Sequence, residues 1–147
     1  GSEYRAPELS AALLFSQFKD YKNIQKKREK IWKFYYNELS KFSSEKFEIL
    51  NYKNKLKVCS YHSFTIIFKN IKKRNYFINF MKMKGIYCYF HYFPLHMSEF
   101  GKKFAKEKLL NTEKAWNGLV RLPIYPDLKN FDLKYIIKSI KNFTKML

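Results

Sequence analysis

The stretch RNYFINFMKMKGIYCYFHYFPLH, residues 74–96, decides how this chain folds. Apolar residues in its first half recur at the spacing of one helix face, which predicts a helix over 75–84 that ends at Gly85. Its second half is β-branched and aromatic, which predicts a strand over 86–93 that Pro94 ends. Aromatic residues on both faces of that strand indicate that both faces are buried.

The flanking segments extend this pattern in both directions. Residues 9–18 are apolar almost all round, so a helix there must be buried on most sides. Residues 24–42 have apolar residues on one face and lysines opposite, as in an amphipathic helix. The remaining expected elements are strands over 58–68 and 120–125, a short helix or irregular lid over 98–108, a short helix over 112–116 and a closing helix from Asp132. The sum is an α+β fold, with a small antiparallel or mixed sheet, packed helices and a long N-terminal helix.

Composition limits the function classes. The chain has 147 residues and is 46% hydrophobic, which suits one folded domain and excludes a disordered tail. No run of about 18 apolar residues exists to span a membrane, and no signal peptide is recognised. Cys59 and Cys88 are too few for a disulfide framework, so we interpret them as small hydrophobes in a reducing compartment.

A net charge of +18 raises the hypothesis of nucleic-acid binding. Only four of the 30 basic residues are arginine, the side chain that suits bidentate recognition of phosphates and bases. The lysines are scattered from end to end, and the charged run at 26–30 indicates the solvated face of a helix. A basic nucleic-acid-binding domain therefore stays a minor alternative.

Two histidines, His91 and His96, flank Pro94 in the segment HYFPLH. With Cys88 they are metal ligands by type, but residues three apart on a strand point to opposite faces. The same geometry argues against a Cys–His nucleophile at Cys59 and His62, and His62 is expected to pack or to bond backbone. The residues alone leave two interpretations of the HYFPLH histidines open, namely packing in the fold and contact with a substrate.

Several motifs in one order resemble a known family. They are GSEYRAPELSAALLFSQF at 1–18, KKREKIWKFYYNEL in the long helix, YHSFTIIF at 61–68, the stretch at 74–96 and RLPIYPDL at 121–128. Together they resemble the DegT/DnrJ/EryC1/StrS sugar aminotransferases, which use pyridoxal phosphate. Within that family the chain looks most like the dTDP-4-oxo-6-deoxyglucose transaminases, whose product is a 4-amino-4,6-dideoxy sugar for surface polysaccharide.

The resemblance implies that residues 1–147 form the single C-terminal domain of a fold type I aminotransferase, with 1–44 as a helical interface segment. In the family, a large preceding domain holds the Schiff-base lysine and the groups around the cofactor ring. No lysine here has that context, so no catalytic residue is assigned and the chain alone is not expected to transaminate. The implied partners are that large domain, a second subunit in a homodimer, a nucleotide sugar and an amino donor, in the cytoplasm.

The resemblance also implies individual roles. Glu3, Tyr4 and Arg5 occupy the cofactor-phosphate segment, although the family has asparagine where Glu3 stands, and a carboxylate there would repel phosphate. His91, Tyr92 and His96 match the segment that lines the sugar end of the pocket.

If the large domain is absent, Leu9, Leu13, Leu14 and Phe18 should form an exposed apolar patch. A second hypothesis from the same residues is a non-catalytic remnant or interaction module that keeps this fold.

Overall fold

The computed structural model describes residues 6–42, 46–50 and 59–146. In these ranges five α-helices and three β-strands follow one another as α1 Glu8–Phe18, α2 Tyr21–Leu39, β1 Glu48–Ile49, β2 Phe64–Ile67, α3 Ile71–Met83, α4 Leu110–Gly118, β3 Leu119–Leu122 and α5 Asn130–Thr144. The expected α+β class is confirmed.

The three strands form one antiparallel sheet in the order β1-β2-β3. Ile66 of β2 pairs with both Ile49 of β1 and Val120 of β3. Val120 and Leu122 are buried while Arg121 between them is half-buried, as the alternation of side chains along a strand requires. Arg121 therefore lies on the sheet face opposite to the one on which Val120 and Leu122 pack into the core.

One aromatic core joins the sheet to helices α2, α3 and α5. Phe143 of α5 is fully buried and lies 5.1 Å from Phe77 and 5.3 Å from Phe80, ring centroid to ring centroid. Phe68, just after β2, meets the same cluster. The apolar faces of α3 and α5 predicted from their 3.6-residue spacing do meet in this core.

The predicted helix over 75–84 begins earlier, at Ile71. Asn70 is its N-cap, and its side-chain oxygen accepts a hydrogen bond from the backbone N–H of Lys73 at 2.9 Å. An asparagine directly before the first helical residue is a recognised helix start signal, and here it marks a beginning four residues earlier than predicted. Gly85 follows the helix with φ +73°, as predicted.

The strand predicted over 86–93 was wrong. Only Tyr89 joins the sheet, through an isolated bridge to Arg121. Burial on both faces was wrong too, because Cys88 is buried whereas Tyr87, Tyr89 and Tyr92 are 58–76% exposed. Aromatic residues have a high strand propensity, which is why a strand was predicted here. In the structure only Tyr89 of this run pairs with β3.

The other strand predictions were too long. Residue 58 lies outside the described residues, and β2 covers only Phe64–Ile67 of the strand predicted over 58–68. β3 ends at Leu122, before Pro123, where a strand to 125 was predicted. Where a helix or lid over 98–108 was expected, the structure has one short 3-10 turn, Gly101–Lys103, and a second turn, Leu95–Met97, precedes that range. The closing helix is confirmed and begins two residues earlier than predicted.

Helix α1 has no buried residue. Leu9, Leu13, Leu14 and Phe18 are 55–85% exposed, which confirms the predicted apolar patch. Helix α2 differs, because Ile31, Trp32, Tyr35 and Leu39 of its second half are buried in the core. Among the described residues no helix is both long and apolar enough to cross a lipid bilayer.

Candidate functional site

A groove of about 680 Å³ opens beside β3, between residues 85–91 and the first turns of α5. Four tyrosines line it together with two histidines and one arginine, namely Tyr87, Tyr89, Tyr125, Tyr135, His62, His91 and Arg121. We call it the tyrosine groove. Its size falls in the range of pockets that hold small molecules, and its lining combines aromatic faces with a few polar groups, as such pockets do.

Arg121 and His91 meet in the wall of the tyrosine groove. A guanidinium nitrogen of Arg121 donates to Nδ1 of His91 at 3.4 Å. This contact needs a neutral imidazole with its proton on Nε2. Desolvation, and then the nearby Arg121 charge, hold the pKa of His91 below its usual value, so the imidazole is neutral at neutral pH.

The backbone fixes Arg121 on both sides. It pairs with Thr65 across the sheet, and its N–H and C=O bond the C=O and N–H of Tyr89 at 2.7 and 3.3 Å. A side chain on a strand held from both edges is positioned more rigidly than one on a loop. Arg121 was not among the predicted site residues, although its position between two apolar residues of a predicted strand indicates a side chain on the opposite sheet face.

Residues His91, Tyr92 and His96 do not converge on one spot. His91 and Tyr92 also line a smaller depression of about 380 Å³ against α4. His96 instead turns to α4, where its Nε2 lies 3.2 Å from a carboxylate oxygen of Glu113, and its side chain is only 14% exposed. This contact ties the 3-10 turn Leu95–Met97 to the helix.

His62 was expected to pack or to bond backbone, and that was wrong. Its side chain is exposed, it lines the tyrosine groove, and its Nδ1 lies 2.6 Å from the Ser60 hydroxyl. The short extent of β2 leaves His62 outside the sheet, which explains the difference.

Cys88 provides no nucleophile near these histidines. Cys88 is buried, and burial raises the pKa of its thiol to about 12, which keeps the thiol protonated and unreactive. The described residues contain no cluster of three or more His, Cys, Asp or Glu side chains arranged to bind a metal ion.

Arg74 holds the aromatic segment behind the groove in place. It is 3% exposed, and its guanidinium bonds the Trp116 C=O at 2.6 Å and the Asn75 side chain at 3.0 and 3.1 Å. Its Cζ also lies 4.3 Å from the centre of the Phe90 ring. A buried cation satisfied by neutral oxygens and aromatic faces fixes α3, α4 and the residues before His91 relative to one another.

The proposed cofactor residues Glu3, Tyr4 and Arg5 lie outside the described residues. Their contacts therefore stay predictions. The groove and the His91–Arg121 pair do not depend on them.

Comparison of the fold with solved structures identifies its class. Over the whole chain it superposes on the Helicobacter pylori aminotransferase PseC, involved in the biosynthesis of pseudoaminic acid, with a TM-score of 0.85 at 20% identity. It matches DesV of S. venezuelae over 97% of the chain with a TM-score of 0.82 at 20% identity. The fold is that of a part of such aminotransferases.

Residues 1–141 match the model of the DegT/DnrJ/EryC1/StrS aminotransferase family, and the chain belongs to this family. A relative, MJ1066 of Methanocaldococcus jannaschii, is 27% identical over 96% of this chain. The chain spans 37% of the length of MJ1066, 40% of PseC and 38% of DesV.

Proposed function

We propose that this chain is the C-terminal part of a pyridoxal-phosphate-dependent sugar-nucleotide aminotransferase and forms the sugar-facing wall of its active site. One observation carries the proposal: the family match includes the segment that places His91 in the lining of the tyrosine groove and, with Tyr92, in the smaller depression against α4. A wall with neutral hydrogen-bonding groups and tyrosine faces suits a sugar, which offers hydroxyl groups and a flat apolar face.

The proposed substrate is a 4-keto-6-deoxy sugar nucleotide, and the amino donor is glutamate. The 4-amino product would serve surface polysaccharide synthesis, as the motifs GSEY and HYFPLH suggest by resemblance. The likeness of the fold to PseC, an aminotransferase involved in the biosynthesis of pseudoaminic acid, agrees with this proposal. Nucleotide sugars and reduced thiols both agree with a cytoplasmic enzyme.

The cofactor would be held at the start of the chain. Bound pyridoxal phosphate supplies the electron sink that amino transfer requires. Arg5 would offer its guanidinium to the phosphate, and Tyr4 would add a hydroxyl donor. Glu3 would have to turn away from the phosphate or be neutralised. His91 donates from Nε2 in its neutral form, so it would orient a sugar oxygen rather than remove a proton.

Helix α1 supplies the contact with the rest of the enzyme. Its apolar residues Leu9, Leu13, Leu14, Phe15 and Phe18 are uncovered, and the chain spans two fifths or less of its relatives. A large preceding domain, within one subunit or across a homodimer, would bury this helix. Segment 1–44 then acts as the interface, with α1 as the part that docks.

The test is transamination by the complete enzyme of which this chain is proposed to be a part. That protein is given glutamate and dTDP-4-keto-6-deoxyglucose, and the aminated sugar is measured. His91→Gln should raise KM for the keto sugar while the half-reaction with glutamate keeps its rate, because the change affects only the sugar side. Lys69→Gln, at an exposed site before α3, is the control. A folded, cofactor-loaded protein that aminates no keto sugar nucleotide would overturn the proposal.

A further inference from the structure

A lysine-rich furrow runs between helices α2 and α5. Two depressions of about 530 and 240 Å³ build it, and the side chain of Phe34 lines both. Glu38 is the one carboxylate that the described residues contribute to its lining. We call this surface the lysine furrow, and six lysines of the described residues line it, namely Lys27, Lys30, Lys134, Lys138, Lys141 and Lys145.

The lysine furrow carries more positive charge than nearby carboxylates balance. Lys141 lies 2.9 Å from Glu38, and Lys27 lies 3.3 Å from Asp127. Three further lysines are exposed and form no ion pair within the described ranges, namely Lys134, Lys138 and Lys145. The first two stand one turn apart on α5, a spacing at which like charges repel. An external anion relieves that repulsion, so this face favours a negatively charged partner.

Exposed apolar side chains accompany these lysines. Phe131 is 79% exposed at the start of α5, and Phe42 in the furrow lining is 38% exposed. At about 3.6 residues per turn, positions 131, 134, 138 and 145 fall within roughly one sixth of the circumference of α5. A helix face that combines ammonium groups with an exposed aromatic ring suits the boundary between lipid headgroups and acyl chains.

The type of cation also favours a lipid surface. Every basic residue that lines the lysine furrow in the described ranges is a lysine. A lysine acts as a point charge on a flexible stem, whereas recognition of nucleic-acid bases and paired phosphate oxygens relies on the planar fork of arginine. The diffuse negative charge of a lipid surface requires no fork, because each lysine near it contributes by its charge alone.

We propose that the lysine furrow binds the surface of a bilayer that contains anionic lipids, with α5 lying along that surface. The exposed lysines contact lipid phosphates, and the ring of Phe131 enters the headgroup region. The inference concerns where the protein is held and does not rest on the proposed reaction, because neither cofactor nor substrate takes part in it.

The experiment is sedimentation of the chain of residues 1–147 with vesicles of phosphatidylcholine, either pure or mixed with phosphatidylglycerol. Binding to the pure, neutral vesicles measures what the uncovered helix α1 contributes, and this part is subtracted for every variant. We expect tighter binding to the mixed vesicles at low salt. This excess should vanish at about 1 M salt, where charges are screened within about 3 Å.

The central variant combines Lys134→Gln, Lys138→Gln and Lys145→Gln. Each lysine near an anionic surface strengthens binding about fivefold, so the triple change should weaken binding to the mixed vesicles on the order of a hundredfold. These side chains are exposed, so the fold should not change. If circular dichroism shows that the triple variant does not fold, Lys138→Gln alone takes its place. A loss of about fivefold is then expected, and no loss would overturn the proposal.

A matched control removes the same charge from another surface. It combines Lys69→Gln, Lys72→Gln and Lys82→Gln, three exposed residues that line neither part of the lysine furrow. This control should lose about fivefold at most, because salt screens charges that lie farther than about 10 Å from the lipid.

A second readout follows the aromatic ring itself. Phe131→Trp introduces an indole whose emission, measured as the difference from the wild type, should shift to shorter wavelength on the mixed vesicles. Acrylamide in the water should then quench this emission less than it does without vesicles. An indole that stays equally accessible to acrylamide would overturn the insertion of this residue.

Three outcomes would overturn the membrane proposal. One is binding to the mixed vesicles no tighter than to the neutral ones. Another is an equal loss in the two triple variants. The third is saturable binding of a polynucleotide that depends on the three α5 lysines while the mixed vesicles do not bind, which would assign the lysine furrow to nucleic acid instead.

Discussion

The Tyr35 hydroxyl connects the core to the wall of the tyrosine groove, and removing it tests that connection. Tyr35 on α2 is fully buried, and its hydroxyl donates to the Pro123 carbonyl at 2.8 Å. Tyr35→Phe keeps the ring, whose centroid lies 5.2 Å from that of Phe64, so no large cavity forms. What is lost is one hydrogen bond to a carbonyl at the groove.

The expected loss in the free energy of unfolding is about 1–2 kcal/mol, because a carbonyl loses its donor in a site that water reaches only partly. Pro123 is half-buried, which places the value toward the lower end. For a chain of this size each kcal/mol lowers Tm by roughly 2–4 °C.

The assay is urea unfolding followed by circular dichroism and tryptophan fluorescence. Tyr76→Phe is the matched control, because Tyr76 is 46% exposed and its hydroxyl bonds no other described residue. The m value should not change, since the surface exposed on unfolding is the same. NMR shifts should move at residues 121–125 in Tyr35→Phe alone. A Tyr35→Phe protein within about 0.5 kcal/mol of the wild type, the range of surface substitutions, would refute the reasoning.

The same pair of proteins gives a pH test. Burial raises the pKa of Tyr35 well above its usual value of 10.0, so the hydroxyl stays protonated in the folded chain. Above pH 10.0 the tyrosine of the unfolded chain releases its proton while that of the folded chain keeps it, so the folded state loses stability as pH rises. The wild type should lose part of its advantage over Tyr35→Phe in this range, and a constant difference in the free energy of unfolding would contradict the burial argument.

Three further predictions use other parts of the fold. Cys59 should react with a thiol reagent in the folded protein and Cys88 only on unfolding, because burial raises the pKa of Cys88 to about 12; equal rates by mass spectrometry would count against this. Gly118→Ala should lower the free energy of unfolding by about 1–3 kcal/mol, because a Cβ there meets the backbone carbonyl of the residue after β2. Gly85→Ala meets open space and should lose about 1 kcal/mol through its positive φ. Thermal unfolding that shows the larger loss for Gly85→Ala would contradict this packing. His91 should titrate by NMR below the usual 6.5, and as pH falls through 6.5 the unfolded chain takes up this proton first, so stability falls; a midpoint above 6.5 would exclude the burial and the neighbouring guanidinium as its causes.

Long periodic segments were predictable because their information is local. The apolar spacing of α3 and α5 fixed their existence and their inward faces, and Gly85 marked a helix end by its own conformational freedom. The all-round apolar α1 correctly signalled a surface that the described residues leave uncovered. The order of the motifs along the chain predicted the family, and the match of residues 1–141 to the family model confirms it.

The aromatic segment before Pro94 misled, because composition cannot show how many residues a sheet edge accepts. Its residues have high strand propensity, but only Tyr89 reaches Arg121. His91 and His96 were taken together from their spacing, yet one faces Arg121 and the other Glu113.

The sequence by itself determined the helical faces, the fold class and the family, since these depend on periodicity and on the order of motifs. Only the tertiary structure decided the site. Arg121 lies 30 residues from His91 along the chain, and their contact exists because β3 and the segment at Tyr89 share two backbone hydrogen bonds. Pairings between distant residues are set by the sheet as a whole, and no local pattern encodes them.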